Sequence, residues 1–209
     1  MKFLHKKLIQ RALSVKMKII TLILLSAIST ISNAKDLWLF TPGLSFGEIT
    51  KQSTFKSIQA VYGQDNVIYK KIDIGEGEYR KGIVIFPNEN TKTIEVLLNK
   101  KGNPTNIIIN SNKTLWHTAE GITIGSTLKE LEKLNKKSFM LFGFEWDYSG
   151  TISDWQKGIL SKYKNLLTIR LSPYPKKYSI ALMGDKIISS SNKEMNVLNP
   201  KIYQLNVSL

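Results

Sequence analysis

Fifteen residues at 49–63, ITKQSTFKSIQAVYG, are echoed at 122–136 by ITIGSTLKELEKLNK, with no gap needed to align them. Ile49/Ile122, Thr50/Thr123, Ser53/Ser126, Thr54/Thr127 and Lys56/Lys129 are identical, while Phe55/Leu128, Ile58/Leu131 and Val61/Leu134 match in kind. The last three pairs recur every third residue, the spacing of one apolar stripe on an α-helix. A Ser-Thr pair before the stripe supplies the N-cap, whose hydroxyl accepts a bond from an otherwise unpaired N–H of the first turn. In the second copy Thr127 and Glu130 have capping-box spacing, and in the first copy Gly63 is a stop signal. Each copy therefore predicts an extended approach, a cap and a helix of about three turns.

After each helix the apolar period shortens to two. NVIYKKIDI, IVIF, TIEVLL and TNIIIN follow the first copy, each bounded by Gly, Pro or Asn. SFMLFGFEWDYSG, TISDW, LLTIRLS and YSIALMG follow the second. One helix over a few strands leaves apolar surface uncovered, so two such units are expected to join their sheets and cover them together. The expected class is α+β, a tandem of helix-plus-antiparallel-sheet repeats at 35–115 and 116–209, with the helices on one face of the sheet.

The first 34 residues carry six Lys or Arg and no acid, and IITLILLSAISTI at 19–31 is almost wholly apolar. Thirteen residues are short for a bilayer, which needs about 20. Small residues at Ser32 and Ala34 form a cleavage box, so 1–34 reads as a signal peptide cut after Ala34. Met17, directly before Lys18, is an alternative start. Export to the periplasm or beyond is the expected localisation, with no stable membrane insertion once the leader is removed.

The chain has 30 Lys and Arg against 16 acids; without the six leader bases, 24 remain and the net charge is +8. Beyond the leader only Arg80 and Arg170 are arginines. Readers of nucleic acid favour the planar Arg fork, so nucleic acid is not an expected partner. A Lys coat suits an anionic envelope polymer or an acidic protein partner. The absence of cysteine removes disulfides, thiolate metal sites and a lipidated cysteine. His117 is the single histidine after the leader, which leaves no histidine-rich metal site, and no cofactor is expected.

Residues 139–148 read as one strand, with Met140, Phe142, Phe144, Trp146 and Tyr148 on one face and Glu145 and Asp147 on the other. The aromatic stripe is either the floor of the second helix or a stacking platform, with Trp146 and Tyr148 reaching a rim. Glu145 and Asp147, with Asp154 beyond the Ser149-Gly150 turn, are either solvated strand-end acids or an acid/base pair for glycoside cleavage. Gly75 and Gly77 lead from strand to strand, so they make a hairpin turn and not a phosphate loop.

The motif Gly121-Ile122-x-x-Gly125-x-Thr127, followed by a capped helix and strands, resembles the repeat of the β-lactamase-inhibitor-protein fold and of the outer-membrane assembly lipoprotein that shares it. The stretch from Trp116 to Gly158, with its GF-x-WDY-x-G segment, is similar to a set of exported bacterial proteins of no established activity. That resemblance implies an envelope location. The lipid anchor and disulfides of the named folds do not carry over, because this chain has no cysteine.

The function expected from these readings is an exported, non-catalytic binding module of the cell envelope. Its partner is an envelope protein or an anionic envelope polymer, and its candidate surface is Glu145, Trp146, Asp147, Tyr148, Asp154 and Trp155. The alternative is an envelope hydrolase using the same carboxylates.

Overall fold

In the computed structural model, which describes residues 36–209, both copies of the phrase are capped helices built with the same bonds. Thr54 caps helix α1 (Phe55–Tyr62) and Thr127 caps helix α2 (Leu128–Asn135). Each cap hydroxyl accepts from the N–H three residues on, Ser57 or Glu130, at 3.2 Å. In return, the cap N–H of Thr54 donates to Ser57 Oγ at 2.9 Å and that of Thr127 to Glu130 Oε2 at 2.7 Å. The approach repeats too: Thr50 N–H donates to Ser53 Oγ at 3.0 Å and Thr123 N–H to Ser126 Oγ at 3.2 Å. Ile49 and Ile122, one residue earlier, are fully buried. The expected leader at 1–34 lies outside the described residues.

One position departs from the expected stripe. Leu128 and Leu131 are buried and Leu134 is half-buried, but Val61 of α1 is 53% exposed and Tyr62 turns inward instead. At 3.6 residues per turn the inward position after Phe55 and Ile58 is the seventh residue on, not the sixth. Tyr62 packs edge-on against Phe86, with ring centroids 5.6 Å apart. Its counterpart Asn135 is fully buried and fully bonded. The Asn135 side chain donates to the carbonyls of Lys137 and Trp155, each at 3.0 Å, and accepts from Leu160 N–H at 3.0 Å.

The architecture is α+β. A short ribbon pairs β1 (Phe40–Thr41) with β2 (Ser45–Phe46) before α1. After α1 come β3 (Val67–Gly75), β4 (Glu78–Ile85), β5 (Ile94–Leu98) and β6 (Pro104–Ile109), consecutive antiparallel neighbours as the alternation predicts. The strands after α2 divide between two sheets. β7 (Met140–Phe142), β8 (Ile152–Asp154) and β10 (Ile187–Ser189) form a three-stranded antiparallel sheet in the order β10-β7-β8. β9 (Leu167–Ser172) and β11 (Lys201–Ser208), the latter preceded by helix α3 (Lys193–Leu198), complete the larger sheet in the order β3-β4-β5-β6-β11-β9.

The boundary between residues 115 and 116 is thus crossed by one continuous sheet. A single rung, Tyr69–Ile83–Val96–Ile107–Val207–Leu167, spans all six strands, and every member except Tyr69 is buried. Residues 37–209 form one compact unit. The core beneath α1 includes an aromatic group in which Trp116 lies 4.4 Å from Phe46 and 4.9 Å from Trp38, and the Trp116 indole N–H donates to Lys92 O at 2.8 Å. Among the described residues no helix is long and apolar enough to cross a membrane.

Two expected strands are corrected. The segment 139–148 is a strand only over 140–142, because Gly143 packs against another backbone: a Cβ there would lie 2.5 Å from Gly184 O. Within the strand Phe139 and Leu141 turn inward while Met140 and Phe142 are only half-buried, and of the expected aromatic stripe Phe144, past the strand's end, is the buried member. Large apolar residues stand on both sides of this stretch, so period alone does not say which side turns inward. The segment 178–184 is a loop with a short 3-10 turn at Ile180–Leu182, started by Ser179, whose hydroxyl accepts from Ala181 N–H at 3.2 Å.

Candidate functional site

The loop joining β7 to β8, residues 143–150, gathers four of the six candidate residues. Its ends meet through Phe142 N–H to Thr151 O at 2.9 Å and Gly150 N–H to Gly143 O at 3.3 Å. Gly150 has φ +65°, and a Cβ there would come within 1.9 Å of Leu171 O, so only glycine closes the loop so near β9. Glu145 also has a positive φ, +65°, which turns the chain over and ends the alternation that would have set Glu145 beside Asp147.

That turn sends the Glu145 carboxylate to two tyrosines. Oε1 accepts from Tyr174 Oη at 2.8 Å and from Tyr178 Oη. These two bonds, Tyr178's the stronger, hold the Glu145 carboxyl below its usual range. Burial and the bond to Glu145 push the Tyr178 phenol up. Phe144 anchors the same region: its N–H donates to Leu182 O and its carbonyl accepts from Gly184 N–H, both at 2.8 Å, and its ring meets Tyr178 edge-on at 5.4 Å.

Beyond Glu145 three rings touch one another. Trp146 lies 5.5 Å from Tyr148 and 6.4 Å from Phe142, and Phe142 lies 5.7 Å from Tyr148. Tyr148 is 58% exposed, so the cluster presents an aromatic edge to solvent. The Trp146 indole N–H is covered by its neighbours and has no acceptor among the described residues. An unbonded, water-excluded donor costs about 1–3 kcal/mol. Arg170 Nη2 donates to Asp147 O at 2.8 Å while its guanidinium sits 5.6 Å over the Tyr203 ring, tying the loop to the large sheet.

The remaining two candidates lie elsewhere. Asp154 sits opposite Met140, at the end of β8 away from the loop, and its carboxylate accepts from Gln156 N–H. Trp155 is 6% exposed and packs on Phe139 at 5.3 Å, so it belongs to the core and not to a surface. Its inward turn follows from the bond between its carbonyl and the buried Asn135.

Tyr174 and Tyr178 are the members that the sequence reading missed. Their signal was SPYPKKYS, two prolines bracketing the first tyrosine, which argues for a loop ahead of YSIALMG rather than a strand. Beside Tyr178, a groove of about 350 Å³ runs between 176–182 and α3, over the buried side chains of Leu182 and Leu198. His117 makes its recorded contacts with other segments: its backbone bridges Leu39 and its Nδ1 lies 2.9 Å from Leu115 O. Among the described residues no three His, Asp or Glu side chains gather where a metal ion could be held.

A second carboxylate is more tightly held. Glu120 is engaged by Lys162 Nζ and by Tyr163 Oη, the latter at 2.6 Å. Burial pushes its carboxyl up, but these bonds outweigh it and bring the pKa down to about 2, while Tyr163 rises to about 12 through burial and its bond to Glu120. The trio clamps the approach to α2 onto the 3-10 turn at Ile159–Tyr163.

No family model, no curated protein and no solved structure matches this chain.

Proposed function

We propose that this chain is an exported, non-catalytic binding module of the bacterial cell envelope, and that the aromatic edge formed by Phe142, Trp146 and Tyr148 is its binding surface. The observation that carries the reading is the Trp146 indole N–H, a donor without an acceptor among the described residues, inside a cluster of rings that reaches solvent. A partner's carbonyl or hydroxyl supplies the missing acceptor once the loop adjusts, and Trp and Tyr are the side chains that most often dominate protein interfaces.

Of the two expected partners, an envelope protein suits this edge better than an anionic polymer. Glu145 and Asp147 leave the loop acidic, and Arg170 is engaged with Asp147 O and the Tyr203 ring. Glycoside cleavage needs one carboxyl with a raised pKa. Glu145 is shifted the other way, and Asp154 lies at the far end of β8. The hydrolase alternative therefore gains no support at this loop.

The duplicated phrase belongs to the same proposal. The matching bonds around Thr54 and Thr127 support descent of the two helix-plus-sheet units from one ancestral repeat. The test of function is capture of partners from the envelope fraction with the wild-type protein and with Tyr148→Ala, an exposed position where folding is preserved. Loss of a specific protein from the variant's capture is the expected result; a partner retained equally by both overturns the site. N-terminal sequencing of the exported protein should begin at Lys35.

A further inference from the structure

A second surface lies on the hairpin of β3 and β4, at the edge of the large sheet. There Lys71 stands directly opposite Lys81, with Asp73 opposite Tyr79 on one side and Tyr69 opposite Ile83 on the other. Residues two apart on a strand share a face, so a lysine pair sits between two tyrosines on one side of the ribbon. Like charges placed directly across a ladder destabilise it.

Relief does not come from nearby acids. Lys70 pairs with Glu95 at 3.4 Å, but Lys71, Arg80 and Lys81 form no ion pair among the described residues. The hairpin's own acids are at its tip: Asp73 accepts from Gly75 N–H at 2.8 Å, and Glu76 and Glu78 flank the turn. Lys81 instead rests 5.2 Å from the centre of the Tyr69 ring, and that ring stacks on Phe55 at 4.1 Å. Tyr79 is 61% exposed and meets no other ring among the described residues.

The hairpin is closely packed at Gly82. At Gly82 a Cβ would meet Ile72 Cγ1 at 2.5 Å and Val96 O at 2.6 Å, so only glycine lets Ile72 and β5 approach this closely. Ile72 then seals a second apolar cluster with Val84, Leu97 and Ile108 on the reverse face. The fold leaves a groove of about 480 Å³ lined by Tyr69, Lys71, Tyr79, Arg80 and Lys81 together with Lys70 and Gly82.

We infer that this groove binds an acidic polysaccharide, with one carboxylate bridging Lys71 and Lys81 and a sugar ring lying on Tyr79. Charge complementarity names the anion, because Lys71 and Lys81, directly opposite each other and without an ion pair among the described residues, share the groove. The tyrosines name the sugar, because an aromatic face stacks on the C–H face of a pyranose while its hydroxyl and the lysine ammonium groups bond the substituents. A lysine pair that spans both strands places the anion on the ribbon face. An acidic peptide added to the β3 edge would run along one strand instead. Nucleic acid would call on arginine forks, of which the groove has one, Arg80. The surface is separate from the aromatic loop, and the inference stands or falls independently of it.

The test is fluorescence anisotropy of the purified protein with labelled oligogalacturonate, a neutral maltooligosaccharide of equal length and poly-L-glutamate. Oligogalacturonate is expected to bind, the neutral sugar not, and poly-L-glutamate more weakly. Lys71→Gln/Lys81→Gln should weaken oligogalacturonate binding by about tenfold or more while the protein melts at an equal or higher temperature, since an exposed repulsion is removed. Tyr79→Ser should weaken binding of the sugar polymer but not of poly-L-glutamate, and Tyr148→Ala should change neither. Unchanged binding in the double variant, equal binding of poly-L-glutamate, or no binding of oligogalacturonate overturns the inference.

Discussion

The two copies of the phrase, 49–63 and 122–136, share the Thr-to-Ser bond of the approach and the reciprocal cap, and differ in what the helix is attached to. Both have an extended approach bonded Thr to Ser, a buried Ile, and a reciprocal cap. The first cap is closed by a hydroxyl, Ser57, and the second by a carboxylate, Glu130. The first helix ends at Gly63 and passes into a four-strand meander; the second ends at Lys136, in the left-handed conformation with φ 60°, and passes into strands that serve two sheets. Fifteen residues suffice to write a capped helix. Strand partners are chosen by residues far away.

Four measurements break or sharpen this comparison. The largest effect is expected at the matched buried positions: Ile58→Ala and Leu131→Ala, at 2% and 0% exposure, should each lower unfolding free energy by about 3 kcal/mol in urea titrations. A clear inequality between them would break the equivalence of the helices. Asn135→Ala should cost about 2 kcal/mol, because Leu160 N–H and two carbonyls lose a buried partner. Tyr62→Phe, at the matching site, should cost about 0.5 kcal/mol or less, since its hydroxyl accepts one long bond, from Glu48 N–H at 3.2 Å, among the described residues.

Thr54→Ala and Thr127→Ala should each cost about 1 kcal/mol, and equally so at neutral pH. Acid should then separate the two caps. The backbone and hydroxyl bonds from Thr127 lower the Glu130 pKa, so its contribution is present above the ordinary carboxyl value of 4.5 and is lost as pH falls through the depressed one. The melting-temperature gap between wild type and Glu130→Gln should therefore close on acidification, while that for Ser57→Ala stays constant. Glu120 weakens over an overlapping window, from 4.5 down through about 2, so each gap must be read against wild type at the same pH.

How far the chain could be read in advance follows the same division. The helices, the strands β3 to β6 and the Gly75–Gly77 turn were legible because their signals are local: caps, alternation and glycines bounded within a few residues. Val61 failed because a stripe spaced every third residue drifts away from the core, and Tyr62 was the better inward position. The 139–148 segment failed because Gly143 and Gly150 approach the carbonyls of Gly184 and Leu171, contacts made across 41 and 21 residues of sequence. The candidate loop was located through its residues, but its geometry was not. Nothing near Glu145 announces that Tyr174 and Tyr178 will hold its carboxylate, and nothing near Trp155 announces that Asn135 will draw its backbone inward.

The place of β11 between β6 and β9 bears on the timing of folding. Residues 104–109 and 167–172 are joined in one sheet only through residues 201–208, so most of the sequence must be synthesised before the large sheet can close. Pairing over such separations is slow. The β3–β6 meander can pair from local sequence, whereas β9 can be joined to it only after β11 has been made.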